Sequence, residues 1–220
     1  MRKAWRLAAA VAGAVTWCPA EGQAVVVINE ILADPPAVNG DANGDGVRDF
    51  GDDEFVELAN TTGEWLGLTG WTLADGTGIR HVFGPDVALA PFGFQVVFGG
   101  GSPVAPWAGT ASTGRLGLNN TGDTLVLSDA GGALIDTMTY GAEGGRDASL
   151  TRDPDVLGPF ILHLDSAAGG AYSPGTTVDG RAWWYAPDPG RDAAPPVVPE
   201  PATFWLLLGG LAARRLRAVA

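Results

Sequence analysis

Outside its two ends this chain never sustains a helical period. Short runs of β-branched, aliphatic and aromatic residues alternate instead with turns of Gly, Pro, Asn and Asp. Residues 24–32 (AVVVINEIL) read as an opening strand, stopped by Asp34-Pro35-Pro36. Residues 54–58 (EFVEL) alternate polar and apolar side chains, the pattern of a strand with one buried face. Further strands are expected at 70–74, 79–83 and 92–98, the last broken by Gly99-Gly100-Gly101. Residues 123–128 and 134–140 flank Asp129-Ala-Gly131-Gly132, which by spacing and turn residues is a hairpin. Seven or so short strands with frequent turns imply an all-β, antiparallel β-sandwich.

Charge and chemistry narrow the functions open to such a body. Residues 25–198 carry 7 Arg and no Lys against 23 acidic residues, a balance of −16. That surface repels phosphate backbones, so nucleic acid is excluded as a partner. An apolar content of 46% with 17% charged residues is enough to bury a core, which argues against disorder. The only cysteine, Cys18, lies near the N-terminus, so no disulfide framework can staple the body.

A metal could take that stapling role. Residues 41–57 read DANGDGVRDFGDDEFVE. Asp41, Asn43 and Asp45 occupy positions 1, 3 and 5 of an EF-hand-like calcium loop, with Gly46 at the sharp turn. Val47 offers its backbone carbonyl at position 7, Asp49 falls at position 9 and Asp52 at position 12. Position 12 departs from the usual Glu, and Asp53 or Glu54 can substitute there. Oxygen-only donors favour Ca2+, in a structural role. The competing reading is a solvated acidic turn. No amphipathic helix flanks the loop, so it is expected as an insertion between the first two strands rather than as a sensor.

Both ends read as addresses. Residues 1–24 combine Arg2, Lys3 and Arg6 with an apolar run and small residues at Gly22 and Ala24, the pattern of a secretory signal peptide cleaved after Ala24 or Ala20. Residues 188–197 form a Pro-rich linker, followed by Val198-Pro199-Glu200-Pro201, an apolar run at 202–213, and Arg214-Arg215. As a helix that run rises ~18 Å, short of the ~30 Å hydrocarbon core. The tail resembles the PEP-CTERM sorting signal of Gram-negative bacteria, carried by Pro199, Glu200, Pro201, Arg214 and Arg215. The resemblance implies processing by an exosortase, transient insertion in the inner membrane, and delivery to the cell surface or extracellular matrix. An ordinary short C-terminal anchor is the alternative.

A second resemblance covers residues 25–141. Ile28-Asn29-Glu30-Ile31, Asp53 through Leu58, Leu68 through Leu73, Leu118 through Asp123, and Ile135-Asp136 with Thr139-Tyr140-Gly141 follow the order of motifs in the lamin tail domain. It implies an immunoglobulin-like sandwich over residues 25–142, a fold found in accessory and surface modules. Residues 143–187 then form a C-terminal extension packing on the sandwich, with residues 160–164 as a further strand covering a sheet edge.

No catalytic constellation stands out. His81 and His163 are the only histidines, and Ser128, Ser149 and Ser173 sit in no nucleophile motif. Glu30 and Glu57 could pair, but strand-surface or loop-supporting roles fit them better. The expectation is a non-catalytic, calcium-stabilised module with a structural or adhesive role, its partner a polysaccharide or an envelope protein. Two rivals are a polysaccharide-binding module using exposed Trp65, Trp107, Trp183 or Trp184, and a metal-dependent hydrolase centred on the Asp cluster.

Overall fold

The computed structural model describes residues 25–183. The signal peptide with Cys18, the aromatic pair Trp184-Tyr185, the linker and the sorting signal (Pro199, Glu200, Pro201, Arg214, Arg215) lie outside the described residues. Twelve strands follow in order: β1 Val26–Leu32, β2 Phe55–Asn60, β3 Leu66–Gly67, β4 Thr72–Asp75, β5 Gly78–Val82, β6 Ala88–Leu89, β7 Phe94–Phe98, β8 Ala108–Thr110, β9 Asp123–Ser128, β10 Leu134–Tyr140, β11 Leu150–Arg152 and β12 Phe160–Leu162. Single 3-10 turns at Ala142–Gly145 and His163–Asp165 complete the described elements.

A six-stranded sheet has the order β12-β11-β1-β2-β7-β8, and a four-stranded sheet the order β10-β9-β4-β5. β3 and β6 make a small separate pair. The β9–β10 hairpin forms with Leu134 opposite Ser128, as its Asp-Ala-Gly-Gly turn predicts. The purely antiparallel expectation needs one correction. β8 runs parallel to β7, because residues 99–107 carry the chain back along the sheet edge instead of reversing it.

The larger sheet is buried on both faces. One face supplies Val26, Ile28, Ile31, Val56, Leu58 and Val97 to the core shared with Leu73, Leu125, Leu127 and Met138 of the smaller sheet. The other face presents Val27, Leu32, Phe55, Phe94, Val96 and Phe98, covered by Trp107, Tyr172 and Trp183. Every residue of β1 and β2 is therefore buried. This overturns the one-faced reading of residues 54–58: Glu57 faces the extension and Glu54 the 117–118 backbone, and neither meets bulk water. A sheet covered on both sides also accounts for the unbroken apolar run that opens the chain.

A bulge after Ile28 shifts the β1 register, so that Ile28 and Ile31 share one core while Val27 and Leu32 share the other. Asp136 Oδ2 accepts the Ile28 N–H at 2.8 Å, and Arg152 Nε donates to the Ile28 carbonyl at 2.9 Å. The backbone groups at the bulge are thus satisfied by the smaller sheet on one side and by β11 on the other.

Candidate functional site

The acidic loop joins β1 to β2 and is held by its own side chains. Asp41 Oδ2 accepts the Gly46 N–H, Asn43 Oδ1 the Asp45 N–H, and Asp45 Oδ1 the Val47 N–H, each at 2.9 Å. Short polar side chains thereby replace a strand ladder as the partners of the loop backbone. The Gly44 and Gly46 backbones turn through positive φ to allow it. Asp41 Oδ1 is left buried with no hydrogen-bond partner.

The remaining predicted donors divide by geometry. Asp53 is fully buried; its Oδ1 accepts the Asn43 N–H at 3.0 Å and its Oδ2 the Asp49 N–H at 2.7 Å. Asp53 therefore clamps the two halves of the loop together. Asp49 Oδ1 accepts from Gly51 and Asp52, and those N–H groups hold the Asp49 carboxyl below its ordinary value. Val47 is exposed at the turn. Burial, with repulsion from Asp49, Asp45 and Asp53, pushes the Asp52 carboxyl up. Glu54 leaves the loop altogether: its Oε2 accepts the N–H groups of Gly117 at 2.7 Å and Leu118 at 3.2 Å. Burial pushes Glu54 up to about 7 against the pull of those two bonds.

The triple glycine after β7 is the seat of the loop. A Cβ on Gly99 would lie 1.8 Å from the Gly51 carbonyl oxygen, and one on Gly100 2.2 Å from Asp52 Oδ1. At Gly101, where φ is +71°, a Cβ would come within 2.6 Å of Asp45 Oδ2 and 2.4 Å of Asn43 Nδ2. The Ser102 N–H donates to Asp45 Oδ2 at 2.9 Å, and with the Val47 N–H it lowers the Asp45 pKa. Sequence reading took these glycines only as a strand breaker. Three together at the end of a strand was the available signal for a close backbone approach.

Among the described residues no three His, Cys, Asp or Glu side chains form a preformed metal cluster. The predicted donors are four carboxylates, one amide and one backbone carbonyl, and Asp41, Asn43, Asp45 and Asp49 each turn an oxygen to the loop's own N–H groups. That all-oxygen set suits a hard cation, and the orphaned Asp41 Oδ1 is the kind of atom such an ion would satisfy. The donors match calcium in kind, all of them oxygen, while their side chains are not gathered around one point.

A second polar cluster is built on the two glutamates that the sequence offers as a possible pair or as loop supports. Glu30 and Glu57 face each other across β1 and β2, and both are fully buried, which corrects their placing on the strand surface. Glu30 accepts from Ser149 Oγ at 2.6 Å, the Ser173 N–H at 2.8 Å and Ser173 Oγ at 2.7 Å. Glu57 accepts from Asn29 Nδ2 at 3.0 Å and the Gly175 N–H at 2.7 Å. Asn29 also donates to Asp155, which in turn accepts the Val178 N–H. Every one of these donors except Asn29 lies in residues 149–178. The two glutamates are thus the sockets into which the extension docks. Burial raises both, Glu57 further because Glu30 stands opposite.

The histidines do no visible chemistry. His81 packs edge-on against Phe83, accepts the Ser112 N–H at Nδ1, and is pushed down by burial. His163 bonds the Gly170 carbonyl through Nδ1. Ser149 and Ser173 are spent on Glu30 rather than poised beside a base. Of the tryptophans, Trp183 is buried with its Nε1 donating to the Phe92 carbonyl, and Trp107 packs edge-on against Phe94; Trp65 is exposed. These three do not make an exposed aromatic row.

Two packed sheets with loops tied by carboxylates define a β-sandwich module of the immunoglobulin-like kind. The lamin tail domain matches residues 19–142, and the chain belongs to that family. No curated protein matches the chain.

Proposed function

We propose that this chain is an exported, surface-sorted lamin-tail module, stabilised by calcium, with a structural or adhesive role in the cell envelope or extracellular matrix. Asp41, Asn43, Asp45, the Val47 carbonyl, Asp49 and Asp52 hold the ion, and Asp53 holds the loop that carries them. The observation behind this reading is the loop's hydrogen-bond pattern, which closes the turn with one Asp41 oxygen and leaves the other buried and unpartnered. Calcium supplies the positive charge that gathered carboxylates otherwise lack. It also pins the β1–β2 connection in a body without disulfides.

Calcium titration with thermal unfolding of the purified protein tests the metal. Extracellular calcium modules bind at about 10⁻⁴–10⁻³ M. At a hundred times the Kd the ion adds about 2.7 kcal/mol, or about 5–10 °C for a domain this size. Asp41→Ala abolishes that gain. A melting temperature indifferent to calcium at such concentrations rejects the metal.

Sorting is tested separately. In a bacterium that carries an exosortase, the mature protein starts after Ala24 and has lost the segment carrying Pro199-Glu200-Pro201 and Arg214-Arg215. Recovery of an intact C-terminus from the surface fraction, by mass spectrometry, overturns the sorting reading and leaves the calcium reading untouched.

A further inference from the structure

The larger sheet is covered on both faces, the smaller on one. Leu73, Leu125, Leu127 and Met138 turn into the shared core, so the side chains that alternate with them on β4, β9 and β10 turn outward. We propose that this outward face is a self-association surface, on which a second copy of the chain packs sheet against sheet. The proposal gives the structural role a partner; it rests on that reading for where copies meet, and on the face alone for the contact.

Strand register builds the face in rows. Val82, Thr72, Ser128 and Leu134 lie side by side across the four strands, and Ile79, Ala74, Val126 and Thr137 form the next row. Thr124 and Thr139 continue it, their hydroxyls bonded at 2.8 Å. Leu134 is 63% and Ile79 52% exposed, and neither they nor Val82 and Val126 join a core cluster.

No charged side chain stands on these rows. Asp75, Asp123 and Asp136 each lie two residues from Leu73, Leu125 or Met138, and so share the core side of the sheet. Arg80 sits in the bulge of β5 and is paired with Asp75 at 2.6 Å. Two bodies of balance −16 repel as they approach, and the repulsion is least through a face without charge. The face is also its own complement. Its Thr and Ser hydroxyls both donate and accept, and its Val, Ile and Leu side chains bury against their like. A twofold pairing of that kind closes at two copies.

Size sets the strength. Four strands of four to seven residues, about 4.8 Å apart and rising about 3.4 Å per residue, give a footprint of roughly 350 Å² on each copy. The pair falls short of the ~1,200 Å² of stable interfaces and belongs with weak, transient contacts. The protein is accordingly a monomer at micromolar concentration. It pairs where copies are crowded to about millimolar density, as tethering to one surface allows.

Sedimentation equilibrium of the purified protein, from about 10 μM to about 2 mM, tests this at the concentrations such a contact requires. The runs are made in chelator, so that calcium bridging two acidic loops cannot imitate the contact. A monomer–dimer equilibrium is expected, with a Kd of about 10⁻⁴–10⁻³ M. It tightens as salt rises from about 20 to about 500 mM, because screening relieves the acidic repulsion. Val126→Arg and Leu134→Lys each weaken pairing at least about tenfold, by placing an unpaired charge in the contact. Leu157→Arg adds the same charge at a site 71% exposed and off the face, and leaves pairing intact. Melting temperatures of the three variants confirm that each is folded. A protein still monomeric at about 2 mM overturns the proposal, that being the weakest pairing a crowded surface could use. Pairing that survives both Val126→Arg and Leu134→Lys, or that appears only with calcium, places the contact elsewhere and also overturns it. In either case an unchanged calcium-dependent melt and a trimmed C-terminus leave the module and its sorting standing.

Discussion

Single carboxylates in this protein do unlike work at similar sequence positions. Asp41 turns the loop with one oxygen, Asp53 clamps it with two, and Glu54, one residue on, reaches away to the 117–118 backbone. Replacing Asp53 with Ala strands the buried Asn43 N–H and the part-buried Asp49 N–H, and a loss of this kind costs about 1–3 kcal/mol where the group is buried. Urea unfolding of Asp53→Ala in chelator, where no ion contributes, is expected to show a loss of about 2–5 kcal/mol. Gly100→Ala is expected to abolish the calcium response while Gly76→Ala, with open space around it, keeps it; the first Cβ collides with Asp52 and the second meets nothing. A calcium-dependent melt of both variants checks this.

At the scale of elements, the extension is a third layer. β11 and β12 extend the large sheet, Ser149, Ser173 and Gly175 dock on Glu30 and Glu57, and Trp183 caps the outer face. The family match ends at residue 142, yet the face bearing Val27, Leu32, Phe55 and Phe98 needs residues beyond it. A chain ending at 142 is expected to aggregate, as size-exclusion chromatography would reveal, whereas one ending at 187 stays monomeric in solution. Trp183→Ala removes a buried indole and its bond to Phe92, a change worth about 3–5 kcal/mol in denaturant unfolding. The docking also carries a pH dependence. Glu30, Glu57 and Asp155 are all raised in the folded state, chiefly by burial. His163 draws Glu30 down, Asp179 adds to Asp155, and Glu30 adds to Glu57. A raised acid gives stability that is complete below its unfolded pKa and fades as pH rises through its folded one. Stability in chelator is therefore expected to fall as pH climbs from 4.5, the ordinary Glu value, toward alkaline conditions. Glu57→Gln flattens that fall. Urea midpoints at pH 4.5 and 8 for both proteins make the comparison.

For the whole molecule, the strand-forming runs, the 129–132 hairpin and the spacing of Asp41, Asn43 and Asp45 were legible in the chain. Each depends on neighbours within a few residues: the turn chemistry of Gly, Asn and Asp, the two-residue period of a strand, the regular offsets of loop donors. Period two says which side chains share a face. It does not say whether that face is covered, so the alternation in EFVEL read as half-exposed although Glu57 is wholly buried. The parallel β7–β8 pair, the seat made by Gly99-Gly100-Gly101 and the cleft between residues 50 and 115 all join segments far apart in the chain. The sequence by itself determined the strands of four residues or more and the place of the acidic loop, because local backbone preference and side-chain period decide those, whereas the short β3, β6, β8 and β11 exist only through their distant partners. Only the tertiary structure decided which carboxylates meet water, because that depends on which distant segment returns to lie over them.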